Sequence, residues 1–251
     1  MIIPLQDGET LSRLYHLNSE PWPNPEAYRE ARDYEVEYKE MTGADTLALP
    51  APADSALLEL LSARTSCRAY LLRGLSPEVF ATLLKCAYGI VRIAPLPKLG
   101  GAYFRTVPSA GGLFPLEVYV LAREVGGIAD GIYHYNLRRH AIERLREGRW
   151  FDELDTIMVS TPFIREANLI FFISAVFKRS QKKYGPRGYR YILLEAGHLA
   201  QNLCLAATEQ KLGSLCMGGY SDGRLNRFLG FDGISEAVVY SIAVGCAAEP
   251  E

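Results

Sequence analysis

Long apolar runs are scarce in this sequence. The longest, such as Leu169 to Val176, stop far short of the roughly 20 residues a membrane-spanning helix needs. The opening Met1-Ile2-Ile3-Pro4 meets Asp7 and Glu9 before a signal-peptide core can form. The five cysteines (Cys67, Cys86, Cys204, Cys216, Cys246) are an odd count without a CxxC pair. Neither a disulfide framework nor a zinc knuckle is indicated, and each thiol reads as a small buried hydrophobe. Charge of neither sign prevails, with 27 Lys and Arg against 29 Asp and Glu, and no basic run is long enough to follow a nucleic-acid backbone. Internal repeats and low-complexity tracts are lacking too. These absences lead us to expect a soluble, cytoplasmic protein with no nucleic-acid or membrane partner.

What is present suits a sizeable folded core, since 251 residues make one large domain or two small ones. Residues 1–52 read as an N-terminal arm. In it Asn24-Pro25-Glu26 carries helix-start signals for a helix through Tyr28 to about Met41, and Leu47 to Pro52 is an extended connector. Residues 53–251 read as the main domain. Ser55 opens a short leucine-rich helix, and Ser76-Pro77-Glu78 opens another that stops near Gly89. Leu99 to Pro115, with four glycines, reads as a loop. Strand patterns follow at Leu116 to Leu121, in a hairpin of Gly131 to Tyr135 with Ala141 to Leu145, at Asn168 to Val176, at Leu212 to Met217 and at Ala237 to Val244. Tyr191 to Lys211 is apolar almost all round and predicts a central helix buried on most faces, ending at Gly213. Strands in the middle with helices before and between them predict an α+β fold.

Four stretches could carry chemistry. Lys182 to Arg190 crowds cations and phenols on a Gly/Pro-punctuated loop at the mouth of the apolar helix, where titration behaviour is readily perturbed. Arg64-Thr65-Ser66-Cys67-Arg68 offers two guanidinium forks and two hydroxyls, which suit a phosphate if they converge. Pro108-Ser109-Ala110-Gly111-Gly112-Leu113 and Met217-Gly218-Gly219 allow close backbone approach to a planar or anionic ligand, although either could be a simple tight turn. Glu195, His198 and Asn202 recur at i, i+3, i+7 along the helix. That spacing lacks the paired histidines of a zinc helix, so a hydrogen-bonded structural stripe is the expectation and no metal site is assigned. His134 reads as a packed or half-exposed strand histidine.

Together, Arg64 to Arg68, Pro108 to Pro115 running into a strand, Gly131-Ile132-Tyr133-His134-Tyr135, and Lys183 to Arg190 continuing into Glu195-Ala196-Gly197-His198-Leu199-Ala200-Gln201-Asn202-Leu203 resemble the nitroreductase superfamily, and within it the SagB-type thiazole/oxazole dehydrogenases. The resemblance covers residues 55 to 246 or so. It implies an FMN-dependent α+β homodimer, with a central, mainly antiparallel sheet flanked by helices, the long helix at the dimer interface and the flavin between subunits. Arg64, Thr65, Ser66 and Arg68 would hold the ribityl phosphate and the polar edge of the ring. Pro108, Ser109, Ala110, Gly111 and Gly112 would line the flavin from the partner subunit, and Gly218 and Gly219 would bring backbone donors near its reactive edge.

The family's Lys-Tyr pair falls on Lys183 and Tyr184. The implied reaction oxidises thiazoline or oxazoline rings of a peptide to thiazole or oxazole, within natural-product biosynthesis and in company with a cyclodehydratase complex. Such an aromatisation removes a proton from the α-carbon and a hydride from the β-carbon, so it requires a base. Lysine ordinarily titrates near 10.4, and apolar surroundings with cationic neighbours would lower that value. Which of Lys183 and Tyr184 takes the proton stays open. Gly112, where nitro- and quinone-reducing relatives usually carry a polar residue, favours the SagB-type branch. Two alternatives stand beside it: a flavin-dependent nitro/quinone reductase or other oxidase, and a non-catalytic scaffold subunit of a cyclodehydratase complex.

Overall fold

Alternating and doubly apolar strands dominate the middle of the chain, and they assemble into one antiparallel sheet. The computed structural model describes residues 8–19, 38–95 and 102–248. In chain order its elements are α1 (Gly8–Asn18), α2 (Ala56–Ala63), β1 (Tyr70–Leu71), α3 (Pro77–Tyr88), β2 (Ile90–Ala94), β3 (Ala102–Arg105), β4 (Leu116–Ala122), β5 (Gly131–Asn136) and β6 (Ala141–Glu147). There follow α4 (Phe151–Leu154), α5 (Thr161–Ile164), β7 (Leu169–Val176), α6 (Phe177–Tyr184), α7 (Arg187–Glu209), β8 (Gly213–Met217), α8 (Asp222–Leu229) and β9 (Glu236–Ala247). Seven strands form the main sheet in the order β1-β9-β7-β4-β5-β6, with β8 also paired to β9.

The sheet is covered on both faces. Val118, Val120, Phe171 and Ile173 point to the side packed by α3 and α7, whereas Leu121, Ile170 and Phe172 point to the side packed by α4, α5 and α8. That double burial explains why β7 is nearly all apolar, since each face of a central strand must be hydrophobic. α3 starts as its signals require. Ser76 accepts a hydrogen bond from the Val79 N–H, Pro77 occupies the first turn, and Gly89 caps the end.

Five expectations are corrected. The Leu99 to Pro115 stretch is not all loop, because β3 pairs with β2 as a separate two-stranded ribbon. Lys183 and Tyr184 end a helix, α6, instead of riding a loop, and α7 begins at Arg187. α7 buries Ile192, Ala196, Leu199, Ala200 and Leu203 but leaves Leu193, Leu194, Gly197, His198 and Gln201 exposed, so only one face packs within the chain. Of the cysteines only Cys204 is buried, and Cys216 is exposed. The helix expected from Asn24 lies mostly outside the described residues, and residues 38–41 are not helical. In the arm, α1 is an element that no sequence signal had marked.

Candidate functional site

Gly185, with φ of +55°, terminates α6 directly after Lys183 and Tyr184, and its N–H still bonds back to the Gln181 carbonyl at 2.8 Å. Pro186 then starts α7, so the two helices turn sharply against each other. Their contact is backbone to backbone at Gly188. A Cβ there would lie 2.9 Å from the Gln181 nitrogen and 3.0 Å from the Ser180 carbonyl carbon, so no larger residue fits without movement. α6 is fixed from its other side by Arg179, whose guanidinium bonds the Glu117 carboxylate. Glu117 also faces His134 Nε2 at 3.2 Å, while His134 Nδ1 meets Glu143 at 2.9 Å. Hydrogen bonding to Glu117 raises the His134 pKa. Burial alone would raise Glu117, but His134 and Arg179 hold it below the usual carboxylate range.

The turn carrying Lys183 and Tyr184 meets the glycine loop. Gly111 sits at φ of +64°, and a Cβ added to it would come within 2.6 Å of Tyr184 Oη and 2.7 Å of Lys183 Nζ. Glycine is thus required twice over, for its backbone angle and for the room it leaves. Ser109 anchors this loop: its hydroxyl donates to Glu195 Oε2 at 2.5 Å and accepts the Phe114 N–H at 2.9 Å. Tyr88 donates to the other Glu195 oxygen at 2.6 Å. Glu195 is 3% exposed, and burial raises its pKa against the pull of Ser109, Tyr88 and the Arg105 charge. Asn202 donates to the Thr106 carbonyl at 3.3 Å. Glu195 and Asn202 are therefore hydrogen-bonded within the chain, while His198, next to Glu195 on the helix, is exposed. Gly111, Gly112, Arg105, Glu117, His134 and Arg179 border a cleft of about 860 Å³.

Arg64 to Arg68 lie elsewhere. The segment leaves α2 and runs beside β8, with Ser66 bridged to Ser214 and the Cys67 N–H donating to the Ser214 carbonyl at 2.9 Å. Thr65, Ser66, Arg68, Thr208 and Lys211 line a second cleft of about 810 Å³. Neither Arg64 nor Arg68 has an ion-pair partner among the described residues. One guanidinium group, an ammonium and three hydroxyls line this cleft, with Arg64 adjoining it in the chain, and that donor set fits a phosphate-bearing cofactor. At the far end of β8, Gly218 is open around its Cα and borders a small pocket with Tyr189 and Leu193. Gly219 accepts the Val159 N–H at 3.0 Å. Within one chain, Lys183, Tyr184, Pro108 to Gly112 and Glu195 come together, and Arg64 to Arg68 stay in a separate cleft.

Sequence reasoning missed Arg105, Glu117, Arg179 and Gly188, and it missed α1. That helix docks on the Lys-Tyr unit: Gln181 donates to Ser12 at 2.9 Å and His16 Nδ1 meets the Tyr189 hydroxyl at 3.1 Å. Burial lowers the His16 pKa. Among the described residues no group of His, Cys, Asp and Glu could hold a metal ion, and no helix is long and apolar enough to cross a membrane.

An antiparallel sheet between helical layers, with a glycine loop set against a Lys-Tyr turn, defines the chain as an α+β protein. The chain belongs to the nitroreductase family, which its residues 61–246 match. It is 35% identical over 183 residues to the nitroreductase-type protein MJ1384 of Methanocaldococcus jannaschii, covering 73% of this chain and 88% of that one. To the microcin B17-processing protein McbC of Escherichia coli it is 28% identical over 142 residues, 53% of this chain and 50% of that one. The solved E. coli microcin synthetase McbBCD complex with truncated pro-MccB17 bound shares the fold, with a TM-score of 0.66 at 20% identity, covering 94% of this chain and 87% of that one. Proteins of the family typically bind a flavin.

Proposed function

We propose that the protein is an FMN-dependent dehydrogenase that oxidises azoline rings of a peptide to azoles, acting as a homodimer. The observation that carries the reading is the convergence of Lys183 Nζ and Tyr184 Oη on the backbone at Gly111. The similarity to a microcin-processing protein supports a peptide substrate. Bound FMN would supply a hydride acceptor. Lys183 and Tyr184 manage the proton that must leave the ring α-carbon: one takes it while the other donates a hydrogen bond to the developing anion. Lys183 Nζ stands 5.2 Å from the centre of the Tyr184 ring, so the two act on one volume of space. Glu195, through Ser109, holds the glycine loop in register with them.

Arg64, Thr65, Ser66 and Arg68 bind the cofactor phosphate, with Gly218 and Gly219 close to its ring. A partner copy supplies Pro108 to Gly112 to that same cofactor. The dimer reading rests on apolar surface that one chain leaves bare: α2 has no buried residue, with Leu57 59% exposed, and Leu194 on α7 is 55% exposed. A cyclodehydratase is a fitting companion, because it makes the azoline.

The test is turnover of an azoline-containing peptide by the FMN-loaded protein, followed by the mass loss of two hydrogens per ring. Lys183→Ala and Tyr184→Phe should each lower turnover by about 100-fold or more while FMN absorbance is retained. Full activity in both variants would remove the proton-transfer role. Rapid NADPH oxidation with a quinone and none with the peptide would instead make the protein a reductase, in line with the name of its M. jannaschii relative. No FMN uptake at all would leave a scaffold subunit.

A further inference from the structure

Two thiols that the sequence marks only as hydrophobes meet across the α7–β8 contact. Cys204 on α7 and Cys216 on β8 place their Sγ atoms 3.5 Å apart. Cys204 is buried and Cys216 is exposed, so one thiol faces outward and its neighbour stands behind it. The Tyr240 side chain hydrogen-bonds Cys216, and the Arg64 charge acts on both sulfurs. Tyr70, itself buried, lies close enough to sense both thiols and Cys67. The hydrogen bond shared by the two thiols, helped by Tyr240 and Arg64, lowers the Cys216 pKa, and the same bond together with burial raises that of Cys204. Cys67 is engaged differently, its thiol donating to the Ala69 carbonyl at 3.0 Å.

An exposed thiolate backed by a buried thiol is the arrangement of an attacking and a resolving cysteine. A disulfide holds the sulfurs about 2.05 Å apart, so the two Sγ atoms need to approach by about 1.5 Å from their 3.5 Å separation. We propose that Cys204 and Cys216 are a peroxide-reactive dithiol that closes into a disulfide between α7 and β8. The Cys216 thiolate attacks one oxygen of hydrogen peroxide. An S–O bond forms, the O–O bond breaks, and the departing hydroxide takes up a proton as water. The Cys204 sulfur then attacks the resulting sulfenic acid. The S–S bond forms, the S–O bond breaks, and the hydroxide leaves as water with the Cys204 proton. Two thiols are oxidised by two electrons and the peroxide is reduced to two waters. The link would pin α7 to β8 beside the Arg64 to Arg68 cleft.

The experiment treats the full-length purified protein with a stoichiometric amount of hydrogen peroxide, blocks the remaining thiols with N-ethylmaleimide and maps the non-reduced peptides by mass spectrometry. The expected result is loss of two of the five blockable thiols, a chain mass lower by two hydrogens, and one peptide pair joined through Cys204 and Cys216. Dithiothreitol should reverse all three. Cys216→Ser should abolish the reaction, and Cys204→Ser should stall it at a dimedone-reactive sulfenic acid on Cys216. Should either variant fail to fold, the wild-type peptide map decides. Cys216 joined to Cys67 or to a second chain would overturn the proposal, as would over-oxidation of Cys216 with Cys204 still blockable.

Discussion

At the scale of single residues, Gly111 is the position where backbone and chemistry constrain each other most tightly. Gly111→Ala would place a methyl within 2.7 Å of Lys183 Nζ and within 2.6 Å of Tyr184 Oη, at φ of +64°. We expect about 1 kcal/mol of lost stability from the left-handed backbone and a fall in azoline turnover of about 10-fold or more, since a displacement of the order of 1 Å at a reacting group has that effect. Steady-state kinetics beside a thermal melt separate the two. Glu195 makes a prediction of a different kind. Burial raises its pKa, so its contribution to stability is present below its ordinary value of 4.5 and is lost as pH rises through the raised folded value. Glu195→Gln should flatten that part of the melting temperature profile. Glu195→Ala, which strands the Tyr88 and Ser109 hydroxyls, should cost about 2–4 kcal/mol. Gly111 was readable as a point of close backbone approach, whereas Lys183 and Tyr184 were set apart from their cationic neighbours only by the resemblance to a family; the structure adds that all three meet. The sequence left Glu195's partner Tyr88 illegible, because the two are 107 residues apart and nothing local couples them.

The Lys-Tyr unit as an element is a helix end gripped from three sides: by α7 at Gly188, by β4 through Arg179 and Glu117, and by α1 through Gln181 and Tyr189. Gly188→Ala must push α6 away from α7 by backbone contact, so we expect about 1–3 kcal/mol of destabilisation and faster amide exchange across Phe177–Tyr184. The His134–Glu117–Arg179 cluster gives the grip a pH window. His134 is raised, so its share of stability is present below its ordinary value of 6.5 and is lost as pH rises through the folded value. Glu117 is lowered, so its share is present above 4.5 and is lost as pH falls through its folded value. Protection of α6 should therefore be greatest between the two, and Glu117→Gln should remove the optimum in hydrogen exchange followed against pH. The strands and α3 were readable from sequence because apolar alternation and cap residues act over a few positions. The β2–β3 ribbon was not, since glycine and proline nearby masked a pairing whose strands leave most residues exposed. α1 escaped because its apolar side chains largely stay exposed, with Leu11, Leu14, Tyr15 and Leu17 all outward.

For the molecule as a whole, the unresolved tension within one chain is that the phosphate-suited cleft and the Lys-Tyr turn lie apart. A second copy would relieve it by lending Pro108 to Gly112 across an interface, and the bare leucines of α2 and α7 are the surface it would cover. The exposed apolar face of α7 fits the same proposal: one face packs within the chain, and the other, with Leu194 exposed, would be covered by the partner. Leu194→Arg tests this at a position that touches neither Glu195's hydrogen bonds nor the sheet. A charge forced into a buried interface without a partner costs about 2–5 kcal/mol, or roughly 30- to 5,000-fold in the dimer dissociation constant. Sedimentation equilibrium should then find monomer where the parent chain is dimeric, FMN affinity should fall in parallel because half of each cofactor site is gone, and far-UV circular dichroism should stay unchanged. A variant that remained dimeric with parent-like FMN affinity would place the partner elsewhere and leave α7's exposed face for another protein.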